Sequence, residues 1–171
     1  MKRTYAIVAV VVALLVAAAS FYFWQRQPPR PSNYSNVIIT MERTMCLGTC
    51  PVYELTIYGD GRVVYNGHQH VEVTGIQTSN ISPDSVRELI DEFYRIGYFS
   101  LRDEYRYKWS FLGFGVRITD APTTITSITV DGRVKQVVEY DGAPQKLIEL
   151  EDKIDETADT QRWIGNPESL F

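Results

Sequence analysis

Cys46 and Cys50 are the only cysteines in the 171-residue chain, with Leu47-Gly48-Thr49 between them and Pro51 directly after. Such a pair suits several chemistries. A disulfide needs its α-carbons within about 4.4–6.8 Å, and an intervening glycine makes so tight a ring feasible. By loop closure it would stabilise the fold by only about 2 kcal/mol, so its use would be to fix a loop. A redox-active dithiol usually has a two-residue spacing at a helix N-terminus, whereas here the spacing is longer and a β-rich run follows. Joined by His68 and His70, the two sulfurs would make a tetrahedral zinc set. Two free buried thiols are the remaining option. The reading adopted is a structural bridge with no metal and no cofactor, the others standing as alternatives.

Other residue types offer less. His68 and His70, the only histidines, have the right ionisation range for acid–base work, but no activated nucleophile accompanies them. They read as a solvated strand edge, with both side chains on one face. Asp103 and Glu104, or Asp120, could serve a hydrolase only if two carboxyl groups were held several ångströms apart across a substrate, which sequence neighbours do not show. No catalytic residue is assigned, and an enzyme is the less favoured class. Residues 94–114 hold Tyr94, Tyr98, Phe99, Tyr105, Tyr107, Trp109, Phe111 and Phe114, interleaved with Arg102, Arg106 and Lys108. Tyr94 and Phe99 are expected in the core. Tyr105, Tyr107, Trp109 and Phe111 form the candidate contact surface, of the composition enriched at protein interfaces.

The elements that must position these residues are legible in part. Val37 to Arg43 reads as a first strand, and Val52–Tyr58 alternates into a hairpin through Gly59-Asp60-Gly61. Asn66-Gly67 marks a further turn, with a short strand from Gln69 to Val73. Ser82-Pro83-Asp84 opens a helix whose apolar positions Val86, Leu89, Ile90, Phe93 and Tyr94 fall on one stripe, closed by Gly97. A strand is expected around Phe114 to Ile118. A second hairpin runs from Thr124 to Tyr140 through Asp131-Gly132, and a last helix opens at Ala143-Pro144 with Leu147, Leu150 and Ile154 inward. The order hairpin, helix, hairpin, helix, together with a weak likeness between LTIYGDGRVVYNG and ITVDGRVKQVVEYDG, predicts an α+β fold. Its antiparallel hairpins would carry two amphipathic helices on one face of the sheet.

Ahead of this domain, Ala6–Trp24 is an uncharged apolar run flanked by Lys2, Arg3 and Arg26. As a helix it would rise roughly 28 Å, so a transmembrane signal anchor is expected over residues 1–27. A Pro-rich linker over 28–35, the α+β domain over 36–165 and a tail over 166–171 would follow. The competing reading is a signal peptide cleaved near Ala19. Either reading places the domain outside the cytoplasm: on the outer side of the inner membrane as a single-pass protein, or released to the periplasm. An oxidising compartment suits the bridge. Charge agrees with the exclusion of nucleic acid as a partner. The net charge is −4, all 21 acidic residues lie after residue 41, and from residue 31 onward 13 basic residues face those 21. At 44% hydrophobic and 22% charged residues the chain has the composition of a globular domain rather than of a disordered one.

The segment Arg43-Thr44-Met45-Cys46-Leu47-Gly48-Thr49-Cys50-Pro51-Val52-Tyr53, followed by Ile57-Tyr58-Gly59-Asp60-Gly61, resembles a bacterial family catalogued as domain of unknown function 6438. Thr119 to Thr123, Tyr140 to Pro144 and Ile154-Asp155 carry the same likeness, which covers about residues 36–165. The resemblance implies one compact domain that often follows an export signal, and no assigned activity or site. The expected role is therefore non-catalytic: an envelope domain that binds a protein, peptide or glycan, or serves structurally. The alternatives are a thiol–disulfide or hydrolytic envelope enzyme, or a zinc-binding domain.

Overall fold

The structure is a computed structural model that describes residues 2–106, 108–109, 115–116 and 121–165, with the backbone alone described at 2–4, 22–26, 108–109 and 115–116. The chain divides into two compact units, Met1–Arg30 and Pro31–Phe171. The first unit holds helix α1, Lys2–Arg26. The expected transmembrane helix is not supported: among the described residues no helix is long and apolar enough to cross a membrane.

The second unit is α+β. Its strands are β1 (Ile38–Arg43), β2 (Val52–Tyr58), β3 (Arg62–Gln69), β4 (Gly75–Asn80), β5 (Glu104–Arg106), β6 (Lys108–Trp109), β7 (Gly115–Val116), β8 (Thr124–Val130) and β9 (Arg133–Asp141). Its helices are α2 (Pro83–Arg95), α3 (Gln145–Ala158) and the short α4 (Gln161–Ile164). Seven strands form one sheet in the order β4-β3-β2-β1-β8-β9-β5, while β6 and β7 pair separately. The expectation of antiparallel hairpins alone needs correction. β5 lies parallel to β9, because the chain returns to that edge from α2 rather than by a tight turn, so the sheet is mixed.

Local chemistry explains the main elements. Ser82 caps α2 by accepting a hydrogen bond from the Ser85 backbone N–H at 3.0 Å, and Gly97 leaves the helix end at φ 71°. The β8–β9 turn uses Asp131 and Gly132, both at positive φ as a type I′ hairpin requires. Asn66-Gly67, in contrast, is no turn: β3 runs straight through it. A Cβ at Gly67 would stand 2.3 Å from the Val73 carbonyl oxygen and 2.9 Å from the Tyr65 hydroxyl, so glycine here provides clearance for a close approach. The strand expected at 69–73 accordingly lies further on, as β4. Of the strand expected at 114–118, only Gly115–Val116 falls within the described residues.

One face of the sheet is buried. Ile39, Met41, Tyr53, Leu55, Ile57, Val63, Tyr65, Ile128, Val130 and Val137 meet the apolar faces of α2 and α3 in a single core with Phe93 and Ile154 at 0% exposure. On the opposite face Thr40, Thr56 and Val64 are half-buried, and Thr40 and Ser127 share a hydrogen bond of 2.6 Å.

Candidate functional site

Cys46 and Cys50 are joined in a disulfide with α-carbons 5.7 Å apart. The bridge closes the loop between β1 and β2, and the β1 flank of that loop is held by a pair of hydrogen bonds. The Thr44 N–H donates to the Thr123 carbonyl at 3.0 Å, and the Thr123 N–H returns to the Thr44 hydroxyl at 3.0 Å. Within the clasp Met45 and Leu47 point outward, Leu47 with 83% of its surface exposed. The pair lies between two strands, not at the first turn of a helix where a dipole would activate a thiol. As oxidised sulfurs the two cannot serve as zinc thiolates, and among the described residues no group of three His, Cys, Asp or Glu side chains could hold a metal ion. A loop-closure entropy for so small a ring predicts that the double variant Cys46→Ser/Cys50→Ser loses about 2 kcal/mol in urea unfolding, with circular dichroism of the folded state unchanged. A loss above about 4 kcal/mol would mean that the loop nucleates the sheet.

At the neck of this loop three polar side chains converge. Register places Arg43, the last residue of β1, opposite Tyr53 in β2 and opposite Thr124 in β8. Its guanidinium donates to Asp155 of α3, from Nε at 3.0 Å and from Nη2 at 2.8 Å. Nε also lies 3.0 Å from the Tyr53 hydroxyl, which in turn donates to the other Asp155 oxygen at 2.7 Å. Thr160, just past the helix, donates to that same oxygen at 2.8 Å. Burial alone would disfavour the Arg43 charge, but the negative field of Asp155 prevails and holds it protonated more firmly than a free arginine. The Tyr53 hydroxyl is pushed well above its ordinary range by burial and by the same carboxylate.

One helical turn before Asp155, Glu151 lies on the same face of α3 with 2% of its surface exposed. It accepts a hydrogen bond from the Thr126 hydroxyl at 3.0 Å, and the Thr126 carbonyl accepts one from Tyr98 at 2.6 Å. Burial raises the Glu151 pKa to about 8, against the lowering effects of Thr126 and Arg43, so the acid is largely neutral at pH 7. Tyr65 completes the cluster. Its ring stacks on Trp163 at 4.9 Å and leans on Tyr53 at 5.4 Å, and its buried hydroxyl has no hydrogen-bond partner among the described residues. Burial and then the Asp155 charge push that hydroxyl up to about 12.

The arrangement does not support turnover. Asp155 is committed to an arginine, a tyrosine and a threonine, and Glu151 is too deeply buried to touch a substrate. What the cluster does is tie α3 to the sheet at the foot of the disulfide loop.

The residues singled out by sequence lie elsewhere. His68 meets Glu54 at 3.5 Å on the open face, but His70 falls beyond β3 at φ 53°, so the two histidines do not share a strand face. Asp103 is paired with Lys135, whose hydrogen bond holds its carboxyl below the usual range, and Glu104 is paired with Arg106. Two facing carboxyl groups free to act as acid and base are therefore not what this segment presents. Tyr105 is half-buried against the core, its hydroxyl 3.3 Å from the Arg102 N–H that donates to it. Trp109 belongs to β6 by its backbone alone, while Tyr107, Phe111 and Asp120 lie outside the described residues.

Sequence reasoning missed Arg43, Tyr53, Glu151 and Asp155 as a unit. A signal existed for one of them: Leu147, Leu150, Glu151, Ile154 and Ala158 share one buried stripe of α3, so a carboxyl group stands where periodicity demands an apolar residue.

A model of the family described as Domain of unknown function (DUF6438) matches residues 37–158, from the start of β1 to the end of α3. No curated protein matches the chain.

Proposed function

We propose that this chain, which belongs to the DUF6438 family, acts as a non-catalytic recognition or structural domain in an oxidising, extracytoplasmic compartment. The observation that carries this reading is the Cys46–Cys50 disulfide, a bond that persists where thiols are not kept reduced. The charged groups support it too. Arg43 and Asp155 neutralise each other, Glu151 is buried, and the exposed carboxyl of Asp103 is matched by Lys135. A domain built this way offers shape and surface rather than a reacting group. Its partner would be a protein, peptide or glycan of the same compartment. The net negative charge of the domain disfavours nucleic acid.

Thiol trapping tests the compartment. Intact cells treated with a membrane-permeant alkylating reagent before lysis should yield the peptide spanning Cys46 and Cys50 unalkylated, with the two sulfurs joined within one chain. Two alkylated cysteines in the bulk of the protein would overturn the reading, because the chain would then reside where such a bridge does not form.

A further inference from the structure

The two edges of the seven-stranded sheet differ in kind. Among the described residues one edge is β5, three residues long, carrying Glu104 and Arg106 and preceded by Asp103. Short length and charge are the usual guards of a free strand. The other edge is β4, Gly75-Ile76-Gln77-Thr78-Ser79-Asn80, six residues without a charge or a proline, with Ile76 70% exposed. Nothing in its composition discourages another strand from pairing with it.

Register shows which backbone groups are on offer. Arg62 to Gly67 pair with Asn80 to Gly75 without a bulge, and the Ile81 N–H donates to the Gly61 carbonyl at 2.9 Å. In an antiparallel ladder hydrogen-bonded pairs alternate with non-bonded ones. Ser79, Gln77 and Gly75 therefore turn their N–H and C=O groups toward β3. Ile76, Thr78 and Asn80 turn theirs outward, where no partner is found among the described residues.

We propose that β4 pairs antiparallel with β4 of a second copy of this chain, about a two-fold axis through Thr78. Ile76 then faces Asn80 of the other copy, and Thr78 faces Thr78, giving three hydrogen-bonded residue pairs and so about six N–H···O=C bonds. Threonine opposite threonine is a favourable cross-strand pair, and no like charges meet along the strand. Arg162, whose Nη2 donates to Ser79 at 2.7 Å, is matched by Asp159 at 3.6 Å, so it brings little net charge to the seam. The second copy is favoured over an open chain of subunits because β4 cannot continue onto a short, charged β5. Only the closed, self-complementary pairing is left, which ends at a dimer. The contact is small, so the dimer is expected to be weak and concentration-dependent.

Sedimentation of the full chain over a dilution series, combined with amide hydrogen exchange, tests this. The chain should pass from monomer to dimer, and the amides of Ile76, Thr78 and Asn80 should gain protection as it does, whereas those of Gln77 and Ser79 are protected throughout. Thr78→Pro removes an outward N–H and none of the monomer's ladder bonds. Thr78→Lys sets two cations face to face on the axis. Each should weaken the dimer about tenfold or more while thermal unfolding of the monomer stays close to that of the parent chain. The second variant serves if proline perturbs the strand. A parent chain that is monomeric at every concentration overturns the proposal. So does a dimer that survives both variants, since its contact lies elsewhere, α1 included. A monomer whose outward amides are protected only when a synthetic extended peptide is added also overturns it, and assigns the edge to a peptide.

Discussion

Replacing Asp155 with alanine is expected to destabilise the domain by about 2–3 kcal/mol, below the ~3–5 kcal/mol lost when one member of a fully buried ion pair is removed, because this pair is only partly buried. Three donors lose their acceptor at once: the Arg43 guanidinium, the Tyr53 hydroxyl and the Thr160 hydroxyl. The cost comes chiefly from the arginine, whose side chain retains 26% exposure and whose second carboxylate partner among the described residues is Asp152, at 3.7 Å. Removing the stranded charge should therefore help. Arg43→Met introduced beside Asp155→Ala is expected to recover part of the lost stability, a coupling measurable by urea unfolding of the four chains in a double-mutant cycle. Strict additivity of the two substitutions would show that the pair contributes nothing to holding α3 on the sheet.

Glu151 makes the fold sensitive to pH in a direction opposite to the usual carboxylate. An unfolded glutamic acid titrates near 4.5, whereas in the folded domain burial raises the value to about 8. Between these limits the folded state keeps a proton that the unfolded chain has released. Unfolding thus sheds a proton, and stability falls as pH rises, by up to about 1.4 kcal/mol per pH unit from this group. The contribution is fully present below pH 4.5 and lost by the time pH passes 8. Glu151→Gln keeps an oxygen for the Thr126 hydroxyl and cannot ionise. The variant should be more stable than the parent by about 2–4 kcal/mol at pH 8 and nearly equal to it at pH 4. Superimposable stability profiles for the two chains across that range would refute the buried, protonated state of Glu151.

Much of the scaffold can be read from local sequence because local chemistry determined it. Ser82-Pro83-Asp84 starts α2 where capping requires, Asp131-Gly132 turns β8 into β9, and the stripes of both long helices face the core. The misreadings have a different origin. Asn66-Gly67 has turn composition, but the demand for space beside Tyr65 and Val73 is made by residues brought there through the fold. The parallel seat of β5 beside β9 depends on a chain path no short motif encodes. The apolar leader is read from composition as a membrane span, yet among the described residues no helix is long and apolar enough to cross a membrane. The clasp beneath the cysteine loop was hidden for the same reason as Gly67: Arg43 and Asp155 are 112 residues apart, and only packing makes them neighbours. The cysteines stood out by rarity, whereas the groups they overlie are ordinary residue types.

The placement of β1 between β2 and β8 governs when the sheet can be completed. Thr40 and Ser127 share a hydrogen bond across 87 positions of chain. At a synthesis rate of about 5–20 residues per second, β8 emerges some 4 to 17 seconds after the strand it must join. During that delay β1 to β4 can form only a meander with one flank of β1 bare, and ordering is governed by a long-range closure rather than by its hairpins. A nascent chain of this topology is therefore most vulnerable to sticking to its neighbours after its first half has been made and before its second half arrives.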